Sequence, residues 1–129
     1  MSEEITFYEK VGGHETFVAI ADNFYQRLEN EPLLFAMYPK KDMAGAKERL
    51  MLFLEQYWGG PTTYSDTRGH PRLRMRHAGF SIGEAEKEAW LRCAHSAIID
   101  LEIAEELKEE LWTYFQYAAH SMMNQGQAL

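Results

Sequence analysis

The chain has 129 residues, of which 46% are hydrophobic and 26% are charged, and its 20 acidic and 13 basic side chains give a formal net charge of -7. This length and balance predict one globular domain, residues 1–129, large enough to bury a single core. The acidic net charge argues against general nucleic-acid binding, because such proteins neutralise many phosphates with a broad basic surface.

The sequence also bears on the cellular compartment. Cys93 is the only cysteine, which excludes an internal disulfide and a cysteine-rich zinc site and suits a reducing compartment. The stretch MSEEITFYEK has no apolar core of a signal peptide, and no run approaches the roughly 18 apolar residues of a membrane span. We therefore expect a cytoplasmic protein without a membrane span.

The first half of the chain predicts a short leading helix and two long ones. The first long helix ends before Pro32, and its apolar stripe recurs at spacings of three and four, through Phe17, Ile20, Ala21, Phe24, Tyr25 and Leu28. Asp42 can cap the second, which the Gly59-Gly60 pair ends. Its shared apolar face is formed by Ala46, Leu50, Phe53, Leu54 and Tyr57.

The second half begins with residues 60–82, which have no clear long period and are the most irregular part of the chain. Two more long helices are predicted after it, the first behind an acidic run that favours a helix N-terminus. Their apolar stripes contain Trp90, Cys93, Ala94, Ala97, Ile98 and Leu101, then Leu107, Leu111, Tyr114, Phe115, Ala118 and Met122. Because no segment alternates with period two for long enough to form a strand, the predicted class is all-α.

The predicted core faces contain many aromatic side chains, and most of these carry a polar atom. Tyrosine and tryptophan need a partner for that atom when they are buried. For one tyrosine alone, a hydroxyl that reaches the solvent is the simpler interpretation. Together, the set favours an apolar pocket with a few inward polar groups, as small-molecule sites have, and consists of Tyr25, Tyr38, Phe53, Tyr57, Trp58 and Trp90.

The segment 68–77, RGHPRLRMRH, contains four arginines and two histidines and no acidic residue. A charge run is usually a solvated face and a lone histidine is usually structural. Here, however, Arg72, Arg74 and Arg76 alternate with apolar residues and lead to His77. Haem would match this combination, because it has an apolar macrocycle, two propionates suited to arginine pairing, and an iron that takes an axial histidine. Another anion remains the alternative.

An ordered set of motifs over nearly the whole chain resembles the bacterial group II truncated haemoglobins. The motifs are Phe7-Tyr8, Val11-Gly12-Gly13, Phe24-Tyr25, Met37-Tyr38-Pro39, FLEQYWGGP at 53–61, RGHPRLRMRH at 68–77, and Trp90-Leu91. The resemblance implies a shortened globin fold, a two-over-two helical sandwich in which an extended loop replaces the helix before the proximal histidine. It also implies haem b (iron protoporphyrin IX) as the cofactor.

The same resemblance implies the site residues. His77 would be the proximal ligand, and the only protein ligand, of a penta-coordinate iron. The distal side would be lined by Tyr25, Tyr38, Ala46, Leu50 and Trp90. Further haem contacts would be Arg49, Phe53, Arg72, Arg74, Met75, Arg76 and Phe80. Which arginines reach the propionates stays open, because alternate residues of an extended segment face opposite sides.

The predicted distal side chains bear on function. Ala46 lies where oxygen carriers often have a histidine, and it cannot donate a hydrogen bond, so the donors would be Tyr25, Tyr38 and Trp90. Each hydrogen bond to a charged ligand is worth roughly 1.5–3 kcal/mol, so two or three predict slow oxygen release. Slow release suits reversible binding of oxygen and other diatomic ligands better than efficient oxygen transport.

Two other functions remain open from the sequence. The first is a haem enzyme, a peroxidase or a nitric oxide dioxygenase, which would need a separate reductase because the chain has no flavin or nicotinamide motif. The second is a haem-free helical interaction domain. The sequence leaves the oligomeric state open, a homo-oligomer included. The other four histidines are predicted to be structural or exposed: His14, His70, His95 and His120.

Overall fold

The computed structural model of the chain describes residues 5–70 and 82–123. The helices are α1 (Phe7–Lys10), α2 (His14–Leu28), α3 (Pro32–Phe35), α4 (Met43–Tyr57), α5 (Thr63–Arg68), α6 (Glu84–Ile98) and α7 (Glu105–Ser121), with a 3-10 turn at Lys40–Asp42. The described ranges contain no strand and no helix long and apolar enough to cross a membrane. The predicted all-α class and the four long helices are confirmed.

Helix α2 is the centre of the fold. It packs on both α4 and α6, while α6 also packs on α7, so two helices lie over two. The predicted α2 stripe is buried except for the half-buried Tyr25. The facing side of α6 is built from short side chains, which let the helices approach closely; they are Ala89, Cys93, Ala94 and Ala97.

Helix α1 folds back onto the end of α4. Gly12 and Gly13 have φ angles of 115° and 71°, which favour glycine and allow this turn. The Tyr8 N–H then donates to the Trp58 carbonyl over 2.9 Å. An added Cβ at Gly60 would lie 2.6 Å from the Tyr8 ring, so this close approach requires glycine at position 60.

The prediction for residues 60–82 was wrong in one part, because residues 63–68 form α5. Its sequence TYSDTR has no apolar period and weak helix propensity. Its first turn is held by Gln56 of α4, which accepts from the Ser65 backbone N–H over 2.9 Å and donates to the Ser65 hydroxyl over 2.7 Å. Tertiary contacts of this kind leave no periodic signal in the sequence.

Two buried carboxylates hold the ends of α2. Glu55 is 3% exposed and accepts from His14, at the first position of α2, over 2.7 Å between Oε2 and Nδ1. Glu31 is 7% exposed and pairs with Arg27 of α2 and Arg92 of α6. These charges are expensive to desolvate, so each depends on its partners.

Removing the His14 partner should therefore destabilise the fold. We expect His14→Ala to lower the free energy of unfolding by about 1–3 kcal/mol, because it removes one of the two partners, His14 and Tyr8, of a buried carboxylate. Urea unfolding at pH 7 measures this change. The matched control is His120→Ala, an exposed histidine of α7, which should change stability by less than about 0.5 kcal/mol. Equal effects of the two substitutions would contradict the role of the His14–Glu55 contact.

Glu31 gives a pH-dependent contribution to stability. The hydrogen bonds from Arg92, against the opposing effect of burial, lower the pKa of the Glu31 carboxyl, and Arg27 adds to the lowering. A lowered folded-state pKa stabilises the fold above the unfolded value of about 4.3 and loses that effect as the pH falls through the folded value. The stability difference between the wild type and Glu31→Gln should be full at pH 7 and shrink below about pH 4.

Urea unfolding at a series of pH values between about 7 and 3 tests this behaviour. Glu29→Gln is the control, since Glu29 is an exposed neighbour two positions earlier and should change stability at pH 7 by less than about 0.5 kcal/mol. A Glu31→Gln difference that does not change with pH would contradict the pairing.

Candidate functional site

A cavity of about 350 Å³ opens between the segment after α2, helices α4 and α6, and helix α7. This volume falls in the range of small-molecule sites, which is roughly 300–1,000 Å³. Most of its wall is apolar, with a few polar and cationic groups. It is lined by Leu34, Met37, Tyr38, Pro39, Ala46, Arg49, Leu50, Phe53, Leu54, Tyr64, Arg68, Ile82, Glu86, Lys87, Trp90, Tyr114, Phe115, Ala118, Ala119 and Met122.

The apolar face of α4 forms one wall of the cavity, and it contains Ala46, Leu50 and Phe53, which were predicted as site residues. Ala46, Leu50 and Phe53 are only half-buried, whereas Leu54 is 2% exposed. Asp42 begins this helix as predicted, since its carboxylate accepts from the Gly45 N–H over 3.2 Å. Three apolar side chains that stay partly open on one helix are what a bound apolar ligand would cover.

Tyr38 and Trp90 form the polar part of the wall. Burial, together with the neighbouring Tyr25, raises the pKa of the Tyr38 phenol well above its usual range, and the Trp90 side chain acts in the opposite direction. The phenol therefore keeps its proton, and so remains a hydrogen-bond donor, at any ordinary pH.

Tyr25 lies behind Tyr38. Their ring centroids are 5.7 Å apart and the rings meet edge to face, and Tyr25 is not among the described residues that line the cavity. Burial raises the pKa of the Tyr25 phenol, and the positive charge of Arg49 acts in the opposite direction. Tyr25 is thus a second protonated phenol, one ring removed from the cavity.

Cationic side chains occur at the edge of the cavity. Arg49 lines it and pairs with Asp42 over 3.1 Å between Nη1 and Oδ2. Arg68 and Lys87 also line it, and neither was named as a site residue from the sequence. Lys87 could have been found, because it precedes Trp90 by three positions and residues so spaced share a helix face.

Other parts of the sequence prediction fall outside the cavity or outside the described structure. Tyr57 is 52% exposed and stacks on Tyr114 at 4.2 Å between centroids, and Trp58 does not line the cavity. The four histidines described, His14, His70, His95 and His120, are exposed. The residues predicted for the proximal side lie outside the described residues: Arg72, Arg74, Met75, Arg76, His77 and Phe80.

Cys93 is buried behind this site. It is 0% exposed on α6, and burial, with the negative charge of Glu31, raises the pKa of its thiol to about 12. A thiol that stays protonated is a poor nucleophile and a poor metal ligand. Its position is that of a small core residue.

Known proteins with a similar sequence form one family. Residues 6–124 match the bacterial-like globin family. Group 2 truncated hemoglobin YjbI of Bacillus subtilis (strain 168) is 36% identical over 121 residues, which cover 94% of this chain and 90% of that protein.

The solved structures that resemble this chain include hemoglobins of the same kind. A thermostable hemoglobin from the actinobacterium Thermobifida fusca has a TM-score of 0.91 and 50% identity, covering 95% of this chain and 100% of that one. The group II truncated hemoglobin from Bacillus anthracis has a TM-score of 0.90 and 31% identity, with 98% and 97% covered. The chain therefore belongs to the bacterial-like globin family and, within it, to the group II truncated haemoglobins, which have the two-over-two globin fold.

Proposed function

We propose that the chain, as a single domain, binds haem b in this cavity and reversibly binds oxygen and other diatomic ligands there. The observation that carries the proposal is the combination of an apolar cavity with a protonated Tyr38 beside Trp90. Globin-family membership implies haem binding. When bound, haem would supply a penta-coordinate iron, which His77 is proposed to hold from the proximal side.

The residues present fit the chemistry of haem. The macrocycle needs apolar walls, which Leu50, Phe53 and Phe115 provide. Its propionates need cations, and we assign Arg49, Arg68 and Lys87 to this role because all three line the cavity. The segment 72–76 and Phe80 would add contacts from the proximal side.

The distal donors have an order of importance. Tyr38 and Trp90 line the cavity, whereas Tyr25 does not. The protonated phenol of Tyr38 would donate from the cavity wall and stabilise negative charge on a diatomic ligand. Tyr38 is thus the proposed first donor, with Trp90 and Tyr25 as secondary ones, and Ala46 and Leu50 as apolar neighbours.

The alternative is a haem enzyme, either a peroxidase or a nitric oxide dioxygenase. The protonated phenols of Tyr25 and Tyr38 support this alternative. A hydrogen-bond donor that slows oxygen release can also polarise a bound peroxide. Steady turnover would require electrons from a separate reductase. Turnover with a physiological reductant distinguishes this alternative from simple oxygen binding.

The haem site is tested by an absorption spectrum of the ferrous protein with and without carbon monoxide. We expect a sharp Soret band that shifts with carbon monoxide, because an iron with one protein ligand leaves its other axial position free. His77→Ala should lose or alter the band, whereas His95→Ala, an exposed histidine of α6, should keep it. A wild-type protein that takes up no haem would overturn the proposal.

The order of the distal donors is tested by oxygen dissociation from three variants. Tyr38→Phe should speed release by about 10-fold to 150-fold, the equivalent of one charge-assisted hydrogen bond of roughly 1.5–3 kcal/mol. Tyr25→Phe should have a smaller effect because Tyr25 does not line the cavity. Tyr117→Phe is the control, since this tyrosine of α7 is 72% exposed, and it should release oxygen at the wild-type rate. A larger effect of Tyr25→Phe than of Tyr38→Phe would contradict the order.

A further inference from the structure

Residues 31–38 form a short connection over the cavity, which we call the strap. Leu34, Met37 and Tyr38 of the strap line the cavity. Its only helix is α3, a single turn, and one isolated turn is unstable in water because helix nucleation is costly. The position of the strap must therefore come from its contacts with the rest of the protein.

The first end of the strap is bound to α6 by a fork of hydrogen bonds. Arg92 donates from Nε to Glu31 Oε2 over 2.9 Å and from Nη2 to Oε1 over 2.8 Å. Such bidentate pairing fixes orientation as well as distance. Arg27 adds one bond, from Nε to Oε2 over 3.1 Å, but it comes from α2, four positions before Glu31.

The other end of the strap meets the same helix. Tyr38 and Trp90 line the same cavity, and Trp90 is two residues before Arg92 on α6. The helix that presents the indole to Tyr38 thus also holds the start of the strap. Between these two ends, α3 packs on α6. Leu34 of α3 is 5% exposed and lines the cavity.

We propose that Arg92 and Glu31 are positioning residues for the distal donors. Their ion pair sets where the strap lies on α6, and so holds the Tyr38 hydroxyl beside the Trp90 indole at the cavity wall. Neither residue lines the cavity, so any effect on a bound ligand must pass through the strap or through α6. This inference rests on the proposed haem binding for both of its readouts, and on the proposed oxygen binding only where oxygen release is measured.

A merely structural ion pair would have a different signature. It would lower the melting temperature when broken and leave the cavity wall unchanged. Arg27 offers a matched comparison, because it contacts the same carboxylate from α2 without linking the strap to α6. Arg27→Gln and Arg92→Gln each remove one guanidinium from Glu31, but only the second removes the link to α6.

The experiment compares these variants in the ferrous carbon-monoxide-bound protein by NMR. The readout is the Trp90 indole N–H resonance, assigned by its loss in Trp90→Phe. Arg92→Gln should shift this resonance, Arg27→Gln should not, and both should lower the melting temperature. Arg92→Lys keeps the charge but not the fork, so it should give an intermediate shift and also serves if Arg92→Gln does not fold.

Oxygen dissociation gives the second readout. Arg92→Gln should speed oxygen release by roughly three- to tenfold, and this effect should disappear when Tyr38 is already phenylalanine, because coupled residues are not additive. The proposal is overturned if Arg92→Gln lowers the melting temperature without moving the indole resonance, or if its effect persists in the Tyr38→Phe background. A wild type that binds carbon monoxide but not oxygen would count against oxygen binding alone, and the indole resonance would still decide the positioning role.

Discussion

The structure depends on the burial of one face of α2. Phe17, Ile20 and Leu28 are at most 1% exposed, and covering three such side chains requires helices on two sides. Helices α4 and α6 fill these positions. Short side chains on α6, among them Ala89 and Ala97, are 0% exposed and let it lie close to α2. Trp90 of the same helix lines the cavity, so the packing of α6 on α2 also positions one wall of the site.

Ion pairs hold the two ends of α2. They fix how the neighbouring helices lie on α2 more than they add to the free energy of unfolding. A buried ion pair gains little over an apolar contact of the same size, because desolvation offsets most of the attraction. It nevertheless restricts how the helices can be arranged. An arrangement in which the carboxylate of Glu31 or Glu55 stayed buried without its partners would cost free energy. Glu55 links α2 to α4 through His14, and Glu31 links α2 to α6 through Arg92. Helices α4 and α6, which form two walls of the cavity, are thereby each fixed to an end of α2.

Sequence periodicity predicted the helices but could not tell a packed face from a ligand-covered one. Ala46, Leu50 and Phe53 have the spacing of a core stripe, and both situations produce it. The motif resemblance assigned these positions to a site, which geometry alone would not have done. Contacts between residues that are distant in the sequence could not be predicted from local patterns. In the sequence, Glu31 is simply a charged residue before a proline, but in the structure it is buried and paired with Arg92, 61 positions later. The short helix α5 was missed for the same reason.

Two tryptophans show where polar contacts matter in this fold. The Trp58 indole nitrogen is buried and has no hydrogen-bond partner among the described residues. It lies among aromatic rings, with the Tyr57 centroid 4.9 Å away and nearly perpendicular, so only weak N–H to ring contacts are available. An aromatic core tolerates that cost of about 1–3 kcal/mol. Trp90, by contrast, lines the cavity together with Tyr38. Since the fold leaves the Trp58 indole unpaired, the packing of the core alone does not require a polar partner for the Trp90 indole.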